Sequence, residues 1–170
     1  MNLIKKITLY SILVGLLFSG LLFVKNANQA PEQVFTSITG QQISLSAWRG
    51  KPVLITFWAT DCPACLQEIP ELQAVYQQQH ENGLEILAIA MYYDPPSHVV
   101  AMTQEKHLPY TVALDINGAH AQAFGTVLQI PTTFLITPDG KIAKHYLGKV
   151  TRQQLIDDIQ PLIQGALCCG

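Results

Sequence analysis

Apolar runs without a polar break alternate with longer segments of helical periodicity along most of this chain. Unbroken runs rich in branched side chains are typical of strands buried on both faces of a sheet, and segments of helical periodicity predict helices that cover it. The predicted strands are 52–58, 84–91, 111–114, 132–137 and 141–147, and the predicted helices are 63–80, 97–106, 118–124 and 152–163. This alternation predicts an α/β fold with a central mixed β-sheet and helices on both faces.

Two shorter patterns add detail to the predicted domain. Residues 34–38 and 42–45 flank Thr39-Gly40, a pair typical of turns, and so predict an N-terminal β-hairpin that caps the sheet. Thr151 and Gln154 have the spacing of a capping box, which predicts the start of the last helix.

The N-terminal segment has a different pattern from the rest of the chain. Lys5 and Lys6 precede an uncharged run over 7–24, which as a helix would span roughly 27 Å and cross a bilayer core. A cleaved signal peptide usually has a shorter apolar core, and residues 28–30 make a poor cleavage site. We therefore expect residues 1–25 to be an uncleaved transmembrane anchor, with 26–32 as a short tether. The two lysines favour a cytoplasmic N-terminus and a domain outside the membrane.

Composition limits the remaining classes of function. The chain has 170 residues, a formal net charge of −2 and no run of basic residues, so we expect no nucleic-acid partner. Residues 33–164 have the length of one compact domain, and 165–170 form a short C-terminal tail. The four cysteines occur as two pairs, too few for a disulfide-stapled scaffold. They call for a chemical explanation.

The first pair, Cys62 and Cys65, follows a predicted buried strand directly. Cys62 would lie at the N-terminus of the helix that begins at Pro63, where unpaired backbone N–H groups and the helix dipole stabilise a thiolate. A thiolate is the species that attacks disulfides. Cys65 lies one turn further on the same face, close enough to form a disulfide with Cys62. The pattern predicts a redox-active dithiol in which Cys62 is the nucleophile and Cys65 the resolving cysteine.

Three segments of the chain carry a family resemblance. They are Trp58-Ala59-Thr60-x-Cys62-Pro63-x-Cys65, Leu45-Ser46-x-Trp48-Arg49-Gly50-Lys51-Pro52, and Ile130-Pro131-Thr132-Thr133-Phe134-Leu135-Ile136 followed by Asp139-Gly140. Together they resemble the TlpA/ResA-type membrane-anchored thiol:disulfide oxidoreductases of the thioredoxin superfamily, over roughly residues 34–163. The group includes the thioredoxins of cytochrome c maturation.

The resemblance implies a thioredoxin-like fold and a reductase that acts on disulfide-bearing proteins outside the cytoplasmic membrane. It implies a single membrane span, electrons from a membrane-embedded thiol donor, and no cofactor beyond the Cys62–Cys65 disulfide. Pro131 aligns with the cis-proline that faces the dithiol, and the backbone of Ile130 beside it would pair with a substrate strand. Trp58 and Pro63 are further expected substrate contacts.

Three positions near the cysteines bear on the protonation of the thiols: Asp61, Thr56 and Asp94. Asp61 stands where the family commonly has Trp, and a carboxylate there would disfavour the neighbouring thiolate unless it is solvated and points away. Thr56 occupies the position where thioredoxin has a buried Asp that assists proton transfer from the second cysteine. Asp94 falls near an acidic residue of the cytochrome-maturation thioredoxins and is a candidate for tuning thiol pKa values, although a loop aspartate before two prolines is more often a turn former.

Several interpretations stay open at this stage. Cys168-Cys169 would be an incidental tail, a second exchanging dithiol or a pair of soft-metal ligands. A membrane-tethered metal-binding module that uses all four cysteines is one alternative function, and a disulfide-donating oxidase on the same fold is another. Trp48 and the pair Tyr92-Tyr93 are expected to be packing residues rather than substrate contacts.

Overall fold

The computed structural model describes residues 28–168, and the side chains of 167 and 168 are not part of that description. The elements in chain order are β1 (Val34–Thr36), β2 (Gln42–Ser44), a 3-10 helix (Leu45–Trp48), β3 (Val53–Trp58), α1 (Pro63–Gln79), β4 (Glu85–Ala90), α2 (Pro96–Glu105), β5 (Thr111–Leu114), α3 (Ala119–Ala123), β6 (Thr132–Ile136), β7 (Ile142–Leu147) and α4 (Arg152–Cys168).

Five strands form the central sheet in the order β5-β4-β3-β6-β7. Strands β3, β4 and β5 are parallel to one another, whereas β6 is antiparallel to both β3 and β7. The sheet is therefore mixed, as predicted. Because β3, β4, β5 and β7 all run in one direction, their C-terminal ends meet at the same edge of the sheet.

Strand β3 lies at the centre, and all six of its side chains are buried. Leu54 and Trp58 belong to the core cluster on one face, where α1, α2 and α4 pack, whereas Val53, Ile55 and Phe57 belong to the cluster on the other face. This division follows from the alternation of side chains along a strand. An unbroken apolar run is the sequence signature of such a strand, because both of its faces are covered.

The second face of the sheet is covered mainly by short elements: α3, the 3-10 helix and the hairpin of β1 and β2. Phe35 of the hairpin is fully buried against this face. Ser37 and Ile38 then pair with the outer edge of β5, through a bridge to Ala113 and a 2.9 Å hydrogen bond from the Ile38 N–H to the Val112 carbonyl. The hairpin that was predicted to cap the sheet therefore covers one face of it, and the residues after β1 also pair with its outer edge at β5.

One element prediction is wrong, and one element was not predicted. The last helix does not end near Ile163 but continues to Cys168, since 164–168 contain no Gly-Pro stop signal and Gly165 is accommodated within the helix. The 3-10 helix is the element without a prediction, and Ser44 caps it by accepting a hydrogen bond from the Ser46 N–H. One bond of the predicted capping box at the start of α4 is present: the Thr151 hydroxyl accepts the Gln154 N–H at 3.3 Å.

The predicted anchor, residues 1–25, lies outside the described residues, as do 26 and 27 of the predicted tether and Cys169 of the tail. Within residues 28–168, no helix combines the length and hydropathy required to cross a bilayer.

Candidate active site

The dithiol lies at the C-terminal edge of the sheet, where β3 ends and α1 begins. Cys62 is the N-cap of α1 in an extended conformation, and Pro63 occupies the first turn, where a missing N–H costs no helical hydrogen bond. The Cys62 sulfur accepts a hydrogen bond from the Cys65 N–H at 3.1 Å. A backbone N–H donor therefore points at this sulfur, and a donor in this position would stabilise the thiolate.

Cys62 and Cys65 form a disulfide with Cα atoms 5.3 Å apart. Their exposures differ: Cys62 is half-buried, whereas Cys65 is only 2% exposed and belongs to the core cluster under α1. An incoming disulfide from a large substrate can therefore approach the Cys62 sulfur and not the Cys65 sulfur. This asymmetry agrees with the predicted roles of nucleophile and resolving cysteine.

Ile130 and Pro131 lie beside the dithiol at the same edge of the sheet. Their peptide bond is cis, and the register of β6 with β3, in which Thr132 faces Phe57, places Pro131 next to Trp58. The Pro131 carbonyl accepts the Gly148 N–H at 2.8 Å. The backbone of Ile130 makes no hydrogen bond within residues 28–168, so both of its polar groups are available to an extended chain.

The prediction that Trp58 contacts substrate is wrong. Its side chain is only 4% exposed and packs in the core with Cys65, because even-numbered positions of β3 face the helices. The indole N–H is buried and has no acceptor within the described part of the chain. Trp58 therefore supports the active-site loop from below and offers no surface to a substrate.

The two acidic candidates occupy different environments. Asp61 is exposed beside Cys62, in agreement with the solvated alternative. Asp94 is buried, and its carboxylate accepts the Thr60 N–H at 2.6 Å and the Thr60 hydroxyl at 2.7 Å. Asp94 thus ties the loop after β4 to the loop that leads into Cys62. Its contact is with the loop and not with either sulfur, and its influence on thiol pKa values stays a prediction.

Thr56 is buried, and its hydroxyl accepts a hydrogen bond from the Thr133 hydroxyl at 2.9 Å. It therefore provides no proton acceptor to Cys65, as the sequence suggested.

Glu68 is the functional candidate that sequence reasoning missed. It lies one turn after Cys65 on the same face of α1 and is only 1% exposed, with its Oε1 accepting the Val150 N–H at 2.9 Å. Burial raises the pKa of this carboxyl to about 7, although the Val150 hydrogen bond and the charge of Lys149 both oppose the rise. A carboxyl that titrates near neutral pH can take up and return a proton at this depth. The sequence did contain a signal for Glu68: it is an acidic residue at the helical spacing of the side chains expected to be buried, which include Cys65, Ile69 and Leu72.

Tyr92 and Tyr93 also differ from expectation. Instead of packing, both side chains are largely exposed at the end of β4, with their rings 5.3 Å apart in an edge-to-face arrangement. Trp48 is half-buried and packs on the second core cluster, as predicted.

Within residues 28–168, no three His, Cys, Asp or Glu side chains are grouped as metal ligands would be. The second cysteine pair is not covered by this statement, because Cys169 and the side chain of Cys168 lie outside the description.

Comparisons with known proteins agree with this geometry. Residues 25–159 match the Redoxin family. Thiol-disulfide oxidoreductase ResA of Bacillus thuringiensis is 34% identical over 130 residues, which cover 75% of this chain and 72% of that protein. The chain belongs to the Redoxin family. It is a thiol-disulfide oxidoreductase, since ResA relatives from several Bacillus species share 31–34% identity with it, including the protein of Bacillus subtilis.

Two solved structures support the thioredoxin-like fold. A putative thioredoxin from Neisseria meningitidis superposes with a TM-score of 0.75 at 30% identity, covering 82% of this chain and 92% of that chain. A thiol:disulfide interchange protein from Chlorobium tepidum superposes with a TM-score of 0.74 at 22% identity, covering 82% and 98%. The second likeness concerns the fold alone.

Proposed function

We propose that this redoxin reduces disulfides in proteins outside the cytoplasmic membrane, with Cys62 as nucleophile and Cys65 as resolving cysteine. The observation that carries the assignment of roles is the difference in exposure between the two sulfurs at the start of α1. The Cys62 thiolate attacks one sulfur of the substrate disulfide, forms a mixed disulfide and releases the first substrate thiolate. Cys65 then loses its proton and attacks the Cys62 sulfur, so that the second substrate thiolate leaves. The substrate gains two electrons and the dithiol loses two.

The proton of Cys65 needs an acceptor inside the protein, because Cys65 is buried. Glu68 provides one: it lies on the same helix face, and its pKa near neutrality means that its ionised form is available to accept this proton. In the reverse direction the protonated carboxyl would donate to the Cys65 thiolate as it leaves. Glu68 would thus assist the proton transfer that a buried Asp assists in thioredoxin, where this chain has Thr56.

The substrate segment would pair with the backbone of Ile130. Both polar groups of that residue lack partners within the described residues, and an extended chain added there satisfies them as a neighbouring strand would. Pairing of this type holds the substrate by its main chain and so tolerates many sequences.

The direction of electron flow is tested by equilibrium with glutathione. We expect the Cys62–Cys65 pair to remain mostly disulfide-bonded in a buffer with excess reduced glutathione, because a good reductant has a stable disulfide form. Each 30 mV of potential changes the equilibrium constant roughly tenfold for a two-electron couple. The measurement is quantification of free thiols after acid quenching. A pair that is mostly dithiol in this buffer would instead identify a disulfide-donating oxidase.

The proposal also includes the membrane. An uncharged run of bilayer length precedes the domain, and lysines precede that run. The tether would hold the dithiol near the membrane surface, where a membrane-embedded thiol donor could reduce it and where proteins such as apocytochrome c could meet it. We expect the full chain to fractionate with membranes and its domain to be digested by protease added from the outer side. A shortened soluble product would instead show cleavage, and a protected domain would show the opposite orientation.

A further inference from the structure

Asp94 is a buried carboxylate whose hydrogen bonds go to neither sulfur. It is only 7% exposed, and both of its oxygens accept hydrogen bonds from one residue: Oδ2 from the Thr60 N–H at 2.6 Å, and Oδ1 from the Thr60 hydroxyl at 2.7 Å. Hydrogen bonds to an ionised carboxylate are stronger than those between neutral groups. A charge is buried at tolerable cost only where such partners compensate its desolvation, so the pairing with Thr60 accounts for the burial of Asp94.

The residues that follow Asp94 leave its side chain free to reach the other loop. An aspartate at the start of a helix usually accepts the first N–H groups of that helix. Here Pro95 is the N-cap of α2 and Pro96 lies in its first turn, and neither has an N–H to offer. The two prolines also fix φ, and the Asp94 N–H donates to the Met91 carbonyl at 3.0 Å. The backbone that carries the carboxylate is therefore held in place.

Thr60 lies in the middle of the three-residue connection between β3 and Cys62. Within residues 28–168, this connection makes one hydrogen bond besides those to Asp94, in which the Cys62 N–H donates to the Ala59 carbonyl at 3.3 Å. Asp61, the last residue of the connection, is exposed. The two bonds between Thr60 and Asp94 are thus the main polar contacts that fix the position of Cys62 in front of α1.

We propose that Asp94 is a positioning residue, which through Thr60 holds the Cys62 sulfur in line with the backbone donor at the start of α1. The proposal rests on the proposed function, in which Cys62 is the nucleophile, and adds a residue that sets its reactivity. The Cys62 sulfur accepts the Cys65 N–H at 3.1 Å, and a hydrogen bond of this kind favours the thiolate. With the connection loosened, the sulfur would meet this donor for less of the time, and the thiolate would be less stable.

An effect of the Asp94 charge on the thiol would have the opposite sign. A carboxylate near a thiol disfavours the thiolate, so removal of the charge alone would lower the pKa of Cys62. Loss of the hydrogen bonds to Thr60 would raise it. The two short bonds compensate the charge of Asp94 where it lies, which favours positioning over repulsion.

The test separates the bonds from the charge with two variants, Asp94→Ala and Asp94→Asn. Alanine removes both. Asparagine removes the charge but keeps two bonds, because its amide oxygen accepts the Thr60 N–H and its NH₂ group donates to the Thr60 hydroxyl oxygen.

The measurement is the rate at which iodoacetamide alkylates Cys62 in the reduced protein, as a function of pH, with mass spectrometry of the peptide that contains Cys62. We expect the midpoint of this profile to rise by about one pH unit in Asp94→Ala, the effect of losing one hydrogen bond to a charged group. In Asp94→Asn it should stay within about 0.3 units of the wild type.

Thr60 offers a second pair of variants that leaves every charge in place. Thr60→Val removes the hydroxyl and keeps the N–H donor, so we expect a rise of about half a unit. Thr60→Ser keeps the hydroxyl and should match the wild type. Other titratable groups on the elements around the dithiol are Asp61, Glu68, Tyr93 and Lys149. They are the same in all of these proteins, so differences between the profiles report on the contacts of Asp94.

Equal shifts in Asp94→Ala and Asp94→Asn, in either direction, or no shift in either, would overturn the positioning role. If Asp94→Ala does not fold, as judged by its thermal unfolding, the Thr60 pair decides, and a wild-type profile for Thr60→Val would then overturn the role. The alkylation measurement uses no substrate. A wild-type protein that reduces no protein disulfide would therefore refute the proposed function, while the profiles would still decide how Asp94 acts on Cys62.

Discussion

A Cys65→Ser variant is expected to accumulate as a covalent complex with its protein substrate, joined through the Cys62 sulfur. Without the Cys65 sulfur the mixed disulfide has no intramolecular exit, and external thiols must resolve it. Intramolecular groups held in place act with effective concentrations on the order of 10⁵ M or more, so resolution should slow by at least about a thousandfold. Non-reducing electrophoresis followed by mass spectrometry of the trapped species measures both the amount of complex and the identity of the substrate.

The matched control is Cys62→Ser, which keeps Cys65 and the fold of α1. Because the Cys65 sulfur is buried under α1, this variant should trap little or no substrate. The double variant gives the background. Equal trapping by the two single variants would contradict the assigned roles, and would mean that Cys65 becomes exposed when the disulfide is opened.

The second large effect concerns Glu68 and the pH dependence of stability. The folded pKa of about 7 lies above the reference value of 4.5 for the unfolded chain, so the folded state holds the proton more tightly. Stability from this group is therefore fully present below pH 4.5 and is lost as pH rises through 7. The shift corresponds to about 3 kcal/mol of unfolding free energy. Glu68→Gln cannot titrate, and its amide oxygen can still accept the Val150 N–H.

The measurement is urea denaturation of wild type and Glu68→Gln in the disulfide form, at several pH values between 4 and 8. The unfolding free energy of the wild type relative to the variant should fall by about 3 kcal/mol across this range. Using the disulfide form removes titration of the cysteines, and taking the difference removes the groups common to both proteins. Parallel pH profiles would show that Glu68 has an ordinary pKa and is not the proton acceptor.

Most elements of this fold could be predicted because their signals are local. The strands β3 and β4 are unbroken apolar runs, and a run of this type packs as a strand wherever two layers cover it. The helix α1 starts at a proline directly after a thiol N-cap. These features need no knowledge of distant contacts. The same is true of Cys62 and Cys65, whose spacing alone brings their sulfurs within bonding distance.

The errors arise where tertiary contacts decide. Glu68 is a carboxyl on a buried stripe, and only the fold shows that the Val150 N–H, 82 residues away, meets it there. Trp58 belongs to a family motif and was therefore expected to contact substrate, but its side chain is buried like the other side chains of β3. Tyr92 and Tyr93 are large aromatic residues of the kind often found in a core. However, β4 ends before them, and their side chains are exposed to solvent. Local sequence does not report which side of a loop faces solvent.

The first described residues of the chain have a consequence for the order of folding. Residues 28–30 pair with the start of β7, and the Gln29 amide donates to the Gly140 carbonyl across 111 residues of sequence. Residues 37 and 38 pair with β5 at the opposite edge. Contacts between residues so distant along the chain form late, because closing the long loop between them costs conformational entropy before the contacts stabilise the fold. During synthesis, the N-terminal segment therefore waits for its partners until nearly the whole chain has emerged, so the two outer edges of the sheet are completed last.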